Sequence, residues 1–125
     1  MAGEAQTILY VEDNDENRIL VQRILEAAGY QFIGVDNASD GIKFARKHLP
    51  DLILVDINMP DVDGLTMTQE LKADERFDNI PIIAVTANVM RGDRERTITA
   101  GCDDYIQKPI DVDNLPRQIA QFLHK

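Results

Sequence analysis

Short apolar runs alternate along the chain with longer stretches in which apolar residues recur every three or four positions. The runs are rich in Ile, Leu and Val and are apolar at consecutive positions, which is typical of strands that are covered on both faces. On this basis we predict five strands, at residues 7–11, 31–35, 51–56, 81–86 and 104–107.

The longer stretches predict helices. The first begins at a cap formed by Asn14 or Asp15 and is stopped by Gly29. Its apolar positions are Leu20, Val21, Ile24, Leu25 and Ala28. The next two run from about Ser39 to His48, before Pro50, and from Leu65 to about Ala73, with Leu65 and Leu71 facing inward.

Two more helices complete the pattern. One extends from about Asn88 to Ala100 and is closed by Gly101. The inner stripe of the last helix is predicted to comprise Val112, Leu115, Ile119 and Phe122. Because parallel strands need crossover connections, this alternation predicts a doubly wound α/β domain with a parallel five-stranded sheet covered on both sides. In such a domain, ligands bind at the carboxyl ends of the strands, near the point where strand order reverses.

Composition limits the possible functions. The 125 residues predict one domain, spanning 1–125 with a core of about 7–123. A net charge of −9 argues against direct nucleic-acid binding, because phosphate backbones repel an acidic surface. Cys102 is the only cysteine, so no internal disulfide can form. No stretch approaches the roughly 20 apolar residues of a membrane span, and we expect no membrane partner and a cytoplasmic location.

Chemically active side chains stand at the carboxyl ends of four of the predicted strands: Glu12 and Asp13, Asp56, Thr86, and Lys108. Three carboxylates that meet at one edge of a sheet repel each other unless a cation joins them, and hard oxygen ligands favour Mg²⁺. Lys108 and Thr86 are suited to bind phosphoryl oxygens, which makes Asp56 the expected nucleophile. Each residue alone has an ordinary explanation as a helix cap, a strand end or a solvated charge. Their occurrence together at strand carboxyl ends favours a phosphoryl-transfer site.

The chain resembles the receiver domain of two-component response regulators from Thr7 to about Leu123. The matching motifs are Val11-Glu12-Asp13-Asn14, Leu54-Val55-Asp56-Ile57-Asn58-Met59-Pro60 with Asp63-Gly64, Val85-Thr86-Ala87, Gly101-Cys102-Asp103-Asp104-Tyr105 and Lys108-Pro109. The resemblance implies a flavodoxin-like fold with strand order 2-1-3-4-5 and five helices. Glu-Asp stands after the first strand where other members carry Asp-Asp.

The resemblance also implies roles for the site residues. A histidine kinase or a histidine phosphotransfer protein would phosphorylate Asp56. Mg²⁺, for which Mn²⁺ can substitute, would be held by Asp13, Asp56 and the backbone carbonyl of Asn58, with Glu12 acting through a water. Thr86 and Lys108 would bind the phosphoryl group, and the Lys108-Pro109 peptide bond would be cis.

Further implications concern signalling. Thr86 and Tyr105 would form a switch that reports phosphorylation to a downstream protein target. Asn58 and Asn88 resemble positions that tune the lifetime of the phosphoryl group. Such a domain is not an enzyme in the conventional sense, although it catalyses its own phosphorylation and dephosphorylation. It would be a monomer or a weak, phosphorylation-dependent dimer.

Other functions stay open at this point. An aspartyl-phosphate phosphatase would need a second Asp where Asn58 stands, a flavin binder would be repelled by Glu12-Asp13, and a nucleotide hydrolase would need a Gly-rich loop ending in Lys and Ser or Thr. A receiver-like interaction module would bind partners without phosphorylation. The Met1 start and the last helix favour a stand-alone regulator over a piece of a longer regulator or hybrid kinase.

Overall fold

The computed structural model describes residues 5–57, 64–87, 98 and 101–123. The strands are β1 (Thr7–Val11), β2 (Gln31–Val35), β3 (Leu52–Asp56), β4 (Ile82–Thr86) and β5 (Asp104–Gln107). The described helices are α1 (Asp15–Ala27), α2 (Ala38–His48), α3 (Gly64–Lys72) and α4 (Leu115–Leu123), with a short 3-10 helix at Glu75–Phe77.

The five strands form one parallel sheet in the order β2-β1-β3-β4-β5. This confirms the predicted doubly wound α/β class and its strand order. β1 pairs with β2 on one side and with β3 on the other, so strand order reverses between β1 and β3. The carboxyl ends of these two strands therefore border the crevice in which such folds bind ligands.

Helices cover both faces of the sheet and bury two apolar layers. On one face, α1 and α4 contribute Val21, Ile24, Leu25, Leu115, Ile119 and Phe122. On the other face, α2 and α3 contribute Ala38, Ala45, Met67 and Leu71. Every residue of β3 and β4 is buried. This double burial explains why those strands are almost continuously apolar in the sequence.

Polar side chains define where two of the helices begin. The side-chain oxygen of Asn14 accepts a hydrogen bond from the Asn17 backbone N–H at 2.8 Å, and Asn37 accepts one from Asp40 at 2.8 Å. Each bond satisfies a donor that the first turn of a helix leaves without a partner in the helix. α1 ends just before Gly29, whose φ of 94° few other residues adopt. Both ends of α1 are therefore set by local sequence.

One prediction about the inner stripe of the last helix was wrong. Val112 is 51% exposed and precedes α4, because the Asp111 side chain accepts hydrogen bonds from the backbone of Asp113 and Asn114 and holds a turn there. Of the apolar positions that predicted α1, Val21, Ile24 and Leu25 are buried, whereas Leu20 is 38% exposed and Ala28, which follows the helix, is exposed.

Some predictions lie outside the described residues. These are the helix from about Asn88 to Ala100, of which only residue 98 is described, and the inward orientation of the Leu65 side chain. Among the helices that are described, none is long and apolar enough to cross a membrane.

Leu25 and Ile19 provide a matched test of the core on α1, since Leu25 is fully buried and Ile19 is 45% exposed. We expect Leu25→Ala to lower the free energy of unfolding by about 2–5 kcal/mol, because it removes apolar contacts and leaves a cavity. Ile19→Ala should cost about 1 kcal/mol or less. Urea unfolding followed by circular dichroism measures both. Equal losses for the two variants would contradict the assignment of the buried face.

Candidate functional site

The predicted site residues lie at the carboxyl edge of the sheet. Glu12 and Asp13 follow β1, Asp56 ends β3, Thr86 ends β4 and Lys108 follows β5. Asp56 is the register partner of Val85, so Thr86 lies one residue further along the neighbouring strand. The parallel register therefore brings residues from four strands to one end of the sheet.

Carboxylate oxygens converge at this edge. One oxygen each from Glu12, Asp13 and Asp56 lies within 4.8 Å of the others. Glu12 is 0% exposed and Asp56 is 3% exposed, whereas Asp13 is open to solvent. Two buried carboxylates beside a third are stable only with positive charge close by. Oxygen ligands at this spacing, with one side open, fit a small divalent cation such as Mg²⁺.

Lys108 supplies positive charge from within the protein. Its Nζ donates hydrogen bonds to Glu12 Oε1 at 3.1 Å and to Asp56 Oδ2 at 3.0 Å. Burial alone lowers the pKa of Lys108, but the hydrogen bonds and negative charges of Asp56 and Glu12 outweigh burial and raise it. The ammonium therefore stays charged at neutral pH and joins the two buried carboxylates. The peptide bond between Lys108 and Pro109 is cis.

The Glu12 carboxylate is held by several donors. Its Oε1 accepts hydrogen bonds from the Tyr10 hydroxyl at 2.9 Å, from Lys108 and from Asn17 Nδ2 at 3.4 Å. Burial raises the pKa of Glu12, but its interaction with the neighbouring Asp56, together with the charge of Lys108 and the hydrogen bonds from Lys108 and Tyr10, lowers it to about 2. Glu12 is therefore a carboxylate at neutral pH.

The negative charge of Glu12 raises the pKa values of two neighbouring groups, Asp13 and Tyr10. A limited loss of solvation, together with the neighbouring negative charge of Glu12, raises the pKa of Asp13. Burial raises the pKa of Tyr10, and the Glu12 carboxylate raises it further, so the phenol keeps its proton and remains a donor. The carboxylates of Glu12 and Asp13 thus repel one another in a way that a cation between them would relieve.

Arg18 supports the backbone of the site from α1. Its Nη1 donates a hydrogen bond to the backbone carbonyl of Glu12 at 2.8 Å. The Arg18 stem passes over Gly34 in β2, where a Cβ atom would stand 2.9 Å from Arg18 Cγ. Glycine at this position therefore permits the close approach.

Residues on β4 and β5 complete the edge. Thr86 is fully buried, and its backbone carbonyl accepts a hydrogen bond from the Lys108 N–H at 2.8 Å. Tyr105 is half-buried and packs against a small cluster of Ile57, Ala84 and Cys102. Lys108 is thus tied to the end of β4 as well as to the two carboxylates.

The structure adds three residues that the sequence did not suggest, namely Tyr10, Asn17 and Arg18. The sequence did contain a signal for Tyr10. It stands two positions before Glu12, and residues two apart along an extended strand share a face, so the two side chains could be expected to lie close together. Asn58, Asn88 and the motif residues at 59–63 lie outside the described part of the chain.

Comparison with known proteins identifies the family. Residues 8–120 match the response regulator receiver domain family. The chain is a response regulator receiver domain. The polar-differentiation response regulator DivK of Brucella anthropi is 44% identical over 118 residues, which cover 94% of this receiver domain and 96% of the relative.

Solved structures agree with this assignment. The receiver domain of the sensor histidine kinase PA1611 from Pseudomonas aeruginosa is 35% identical, with a TM-score of 0.90 over 98% of this chain and 100% of that one. That structure has a magnesium ion coordinated in its active-site cleft. The chemotaxis response regulator CheY4 of Vibrio cholerae, at 21% identity, shares the fold with a TM-score of 0.89 over 95% of this chain and 99% of that one.

The low pKa of Glu12 predicts a pH dependence of stability when no divalent cation is present. A carboxyl group whose pKa is lowered by folding stabilises the protein above its ordinary pKa, near 4.3, and this contribution is lost as pH falls toward about 2. Glu12→Gln should lack this contribution, which is at most about 3 kcal/mol. Between about pH 5 and about pH 2.5, the wild type should therefore lose more unfolding free energy than the variant.

Urea unfolding at each pH measures the difference. Glu26→Gln, an exchange on the exposed surface of α1, serves as the control and should follow the wild type. An identical pH dependence for wild type and Glu12→Gln would show that Glu12 is not held as a carboxylate in the folded protein.

Proposed function

We propose that this receiver domain accepts a phosphoryl group on Asp56 in a reaction that requires Mg²⁺. The donor is a phosphohistidine of a sensor histidine kinase or of a histidine phosphotransfer protein. The observation that carries the proposal is the setting of Asp56, which is buried, lies within a cluster of three carboxylates and accepts a hydrogen bond from Lys108. A carboxylate placed in this way is protected from solvent and is paired with a group that binds phosphoryl oxygens.

The carboxylate cluster accounts for the metal requirement. Asp13 and Asp56 would hold Mg²⁺ directly, with the backbone carbonyl of Asn58, and Glu12 would act through a bound water. When bound, the ion neutralises negative charge on the phosphoryl oxygens. Mn²⁺ would serve in its place, because it also prefers oxygen ligands.

The protein's own residues account for the transfer. One Asp56 oxygen forms a bond to phosphorus while the bond from phosphorus to the histidine nitrogen breaks, and the nitrogen keeps the bonding electron pair. Lys108 moves its hydrogen bond from Asp56 to a phosphoryl oxygen, and the Thr86 hydroxyl binds another. The domain thereby promotes its own phosphorylation by positioning and charge. Hydrolysis of the acyl phosphate by water would reset the same site.

Phosphorylation would change a surface that a downstream protein reads. In the proposed switch, the Thr86 hydroxyl moves toward the phosphoryl group and Tyr105 turns inward against the cluster that contains Ala84. The phosphorylated form would be a monomer or a weak dimer. The similarity to a polar-differentiation response regulator, at 44% identity over 118 residues, supports a signalling role for this chain.

Labelling with acetyl phosphate tests the acceptor. Wild-type protein incubated with acetyl phosphate and Mg²⁺ should gain the mass of one phosphoryl group, because Asp56 is the nucleophile, and intact-mass spectrometry measures the gain. Asp56→Asn should gain none. Asp78→Asn, an exposed position at the opposite end of the sheet, should label like the wild type. Wild-type protein that stays unlabelled where another receiver domain labels would favour an interaction module that works without phosphorylation.

Titration with Mg²⁺ tests the metal ligands. Asp13→Asn should weaken Mg²⁺ binding on the order of tenfold or more, because it removes a charged oxygen ligand from the cluster. Asp78→Asn, an exposed position at the opposite end of the sheet, should bind as the wild type does. Isothermal titration calorimetry measures the affinities. A loss for Asp78→Asn as large as that for Asp13→Asn would refute the ligand assignment.

A further inference from the structure

Tyr10 places a hydroxyl inside the apolar core, directly beneath the site. The residue belongs to β1 and stands two positions before Glu12, and both side chains are fully buried. Glu12 continues the pairing of β1 with β2, since its N–H donates to the Val35 carbonyl at 2.9 Å. Because alternate residues of an extended strand share a face, the Tyr10 ring and the Glu12 side chain lie on the same side of the sheet. The Tyr10 hydroxyl donates a hydrogen bond to Glu12 Oε1 at 2.9 Å.

The core fixes the position of this hydroxyl. The Tyr10 ring belongs to the apolar layer beneath α1 and α4 and meets Phe32 edge to face, with ring centroids 6.5 Å apart and planes at 70°. A phenylalanine would fill the same space without bringing an oxygen into the core. A buried hydroxyl is costly unless it is hydrogen-bonded, and here its bond goes to a site carboxylate. Packing therefore accounts for the ring and leaves the hydroxyl to be explained.

The other donors to Glu12 Oε1 hold it less securely. Asn17 Nδ2 lies 3.4 Å away, which is long for a hydrogen bond. Lys108 lies 3.1 Å away but also donates to Asp56 at 3.0 Å, and phosphoryl transfer requires its ammonium at the phosphoryl oxygens. Tyr10 is thus the short donor to Glu12 that has no second task in the reaction.

We infer that Tyr10 is a positioning residue, whose hydroxyl orients the Glu12 carboxylate toward the divalent cation and thereby leaves Lys108 available to Asp56 and the phosphoryl group. Without the hydroxyl, the buried charge of Glu12 would depend more heavily on Lys108. That change would draw an ammonium into the space that the cation needs. The inference rests on the proposed function, since it assigns a role within the same site.

Tyr10→Phe removes the hydroxyl and keeps the ring. We expect Mg²⁺ affinity, measured by calorimetry on the full chain, to fall on the order of tenfold, as is common when a partner of a metal ligand is lost. At saturating Mg²⁺, the rate of labelling by acetyl phosphate should return to within about twofold of the wild-type rate, since only cation binding was impaired. A purely structural role would move the unfolding temperature and leave the Mg²⁺ affinity of the folded protein unchanged.

The matched control is Tyr30→Phe. Tyr30 packs against the same apolar layer but directly precedes β2 at the amino end of the sheet, whereas Glu12 follows β1 at the carboxyl end. Loss of the Tyr30 hydroxyl should therefore leave Mg²⁺ affinity unchanged. Unchanged or tighter Mg²⁺ binding by folded Tyr10→Phe would overturn the inference while leaving the proposed function intact. Wild-type protein that binds no Mg²⁺ would overturn the proposed function, and the inference with it.

A measurement on the wild type does not depend on the variant folding. In an NMR titration with Mg²⁺, the ring resonances of Tyr10 should shift with the midpoint found by calorimetry, because the charge on its partner Glu12 is redistributed. The ring resonances of Tyr30 should not shift. Tyr10 resonances that do not respond while Mg²⁺ binds would also overturn the inference.

Discussion

The ammonium of Lys108, held between the buried carboxylates of Glu12 and Asp56 at 3.1 and 3.0 Å, is the interaction on which the site depends. Two carboxylates this close and this buried would otherwise take up protons or disrupt the fold. The attraction works in both directions, since the same pairs raise the pKa of Lys108 and lower that of Glu12. Because Lys108 follows β5 and Glu12 follows β1, the interaction also joins strands that are not neighbours in the sheet.

Such an interaction requires a rigid support. The strands β1, β3 and β4, which carry the carboxylates and Thr86, are buried on both faces, so the ends of β1 and β3 are set by the packing of two apolar layers. Further bonds act at the edge itself, where Arg18 holds the backbone carbonyl of Glu12 and the Lys108 N–H bonds to the carbonyl of Thr86. Charge is therefore concentrated where hydrogen bonds and packing hold the backbone in place. That combination is what preorganised stabilisation of a transferring phosphoryl group requires.

Much of this arrangement could be predicted from the sequence, for a physical reason. Consecutive apolar residues reveal doubly covered strands, and parallel strands bring their carboxyl ends to one edge, so the pattern predicts Glu12, Asp56 and Lys108 at the same edge. The order of the strands within the sheet was implied only by the resemblance to receiver domains. Features that depend on local polar contacts were harder to predict from the sequence. Val112 has the spacing of a buried helix residue, but the turn held by Asp111 places it in solvent. Leu49 ends α2 with a φ of 47°, a conformation that its side chain gives no reason to expect.

Tyr10 shows why periodicity cannot reveal every part of the site. In the sequence it is one more large residue in an apolar strand, and in the structure its ring is one more member of the core. Only its hydroxyl, which bonds to Glu12, belongs to the site. Tyr10 therefore belongs to the core through its ring and to the site through its hydroxyl. An apolar layer that holds such a ring rigidly also sets the direction of the carboxylate above it, so packing and electrostatics at this edge of the sheet act as one constraint.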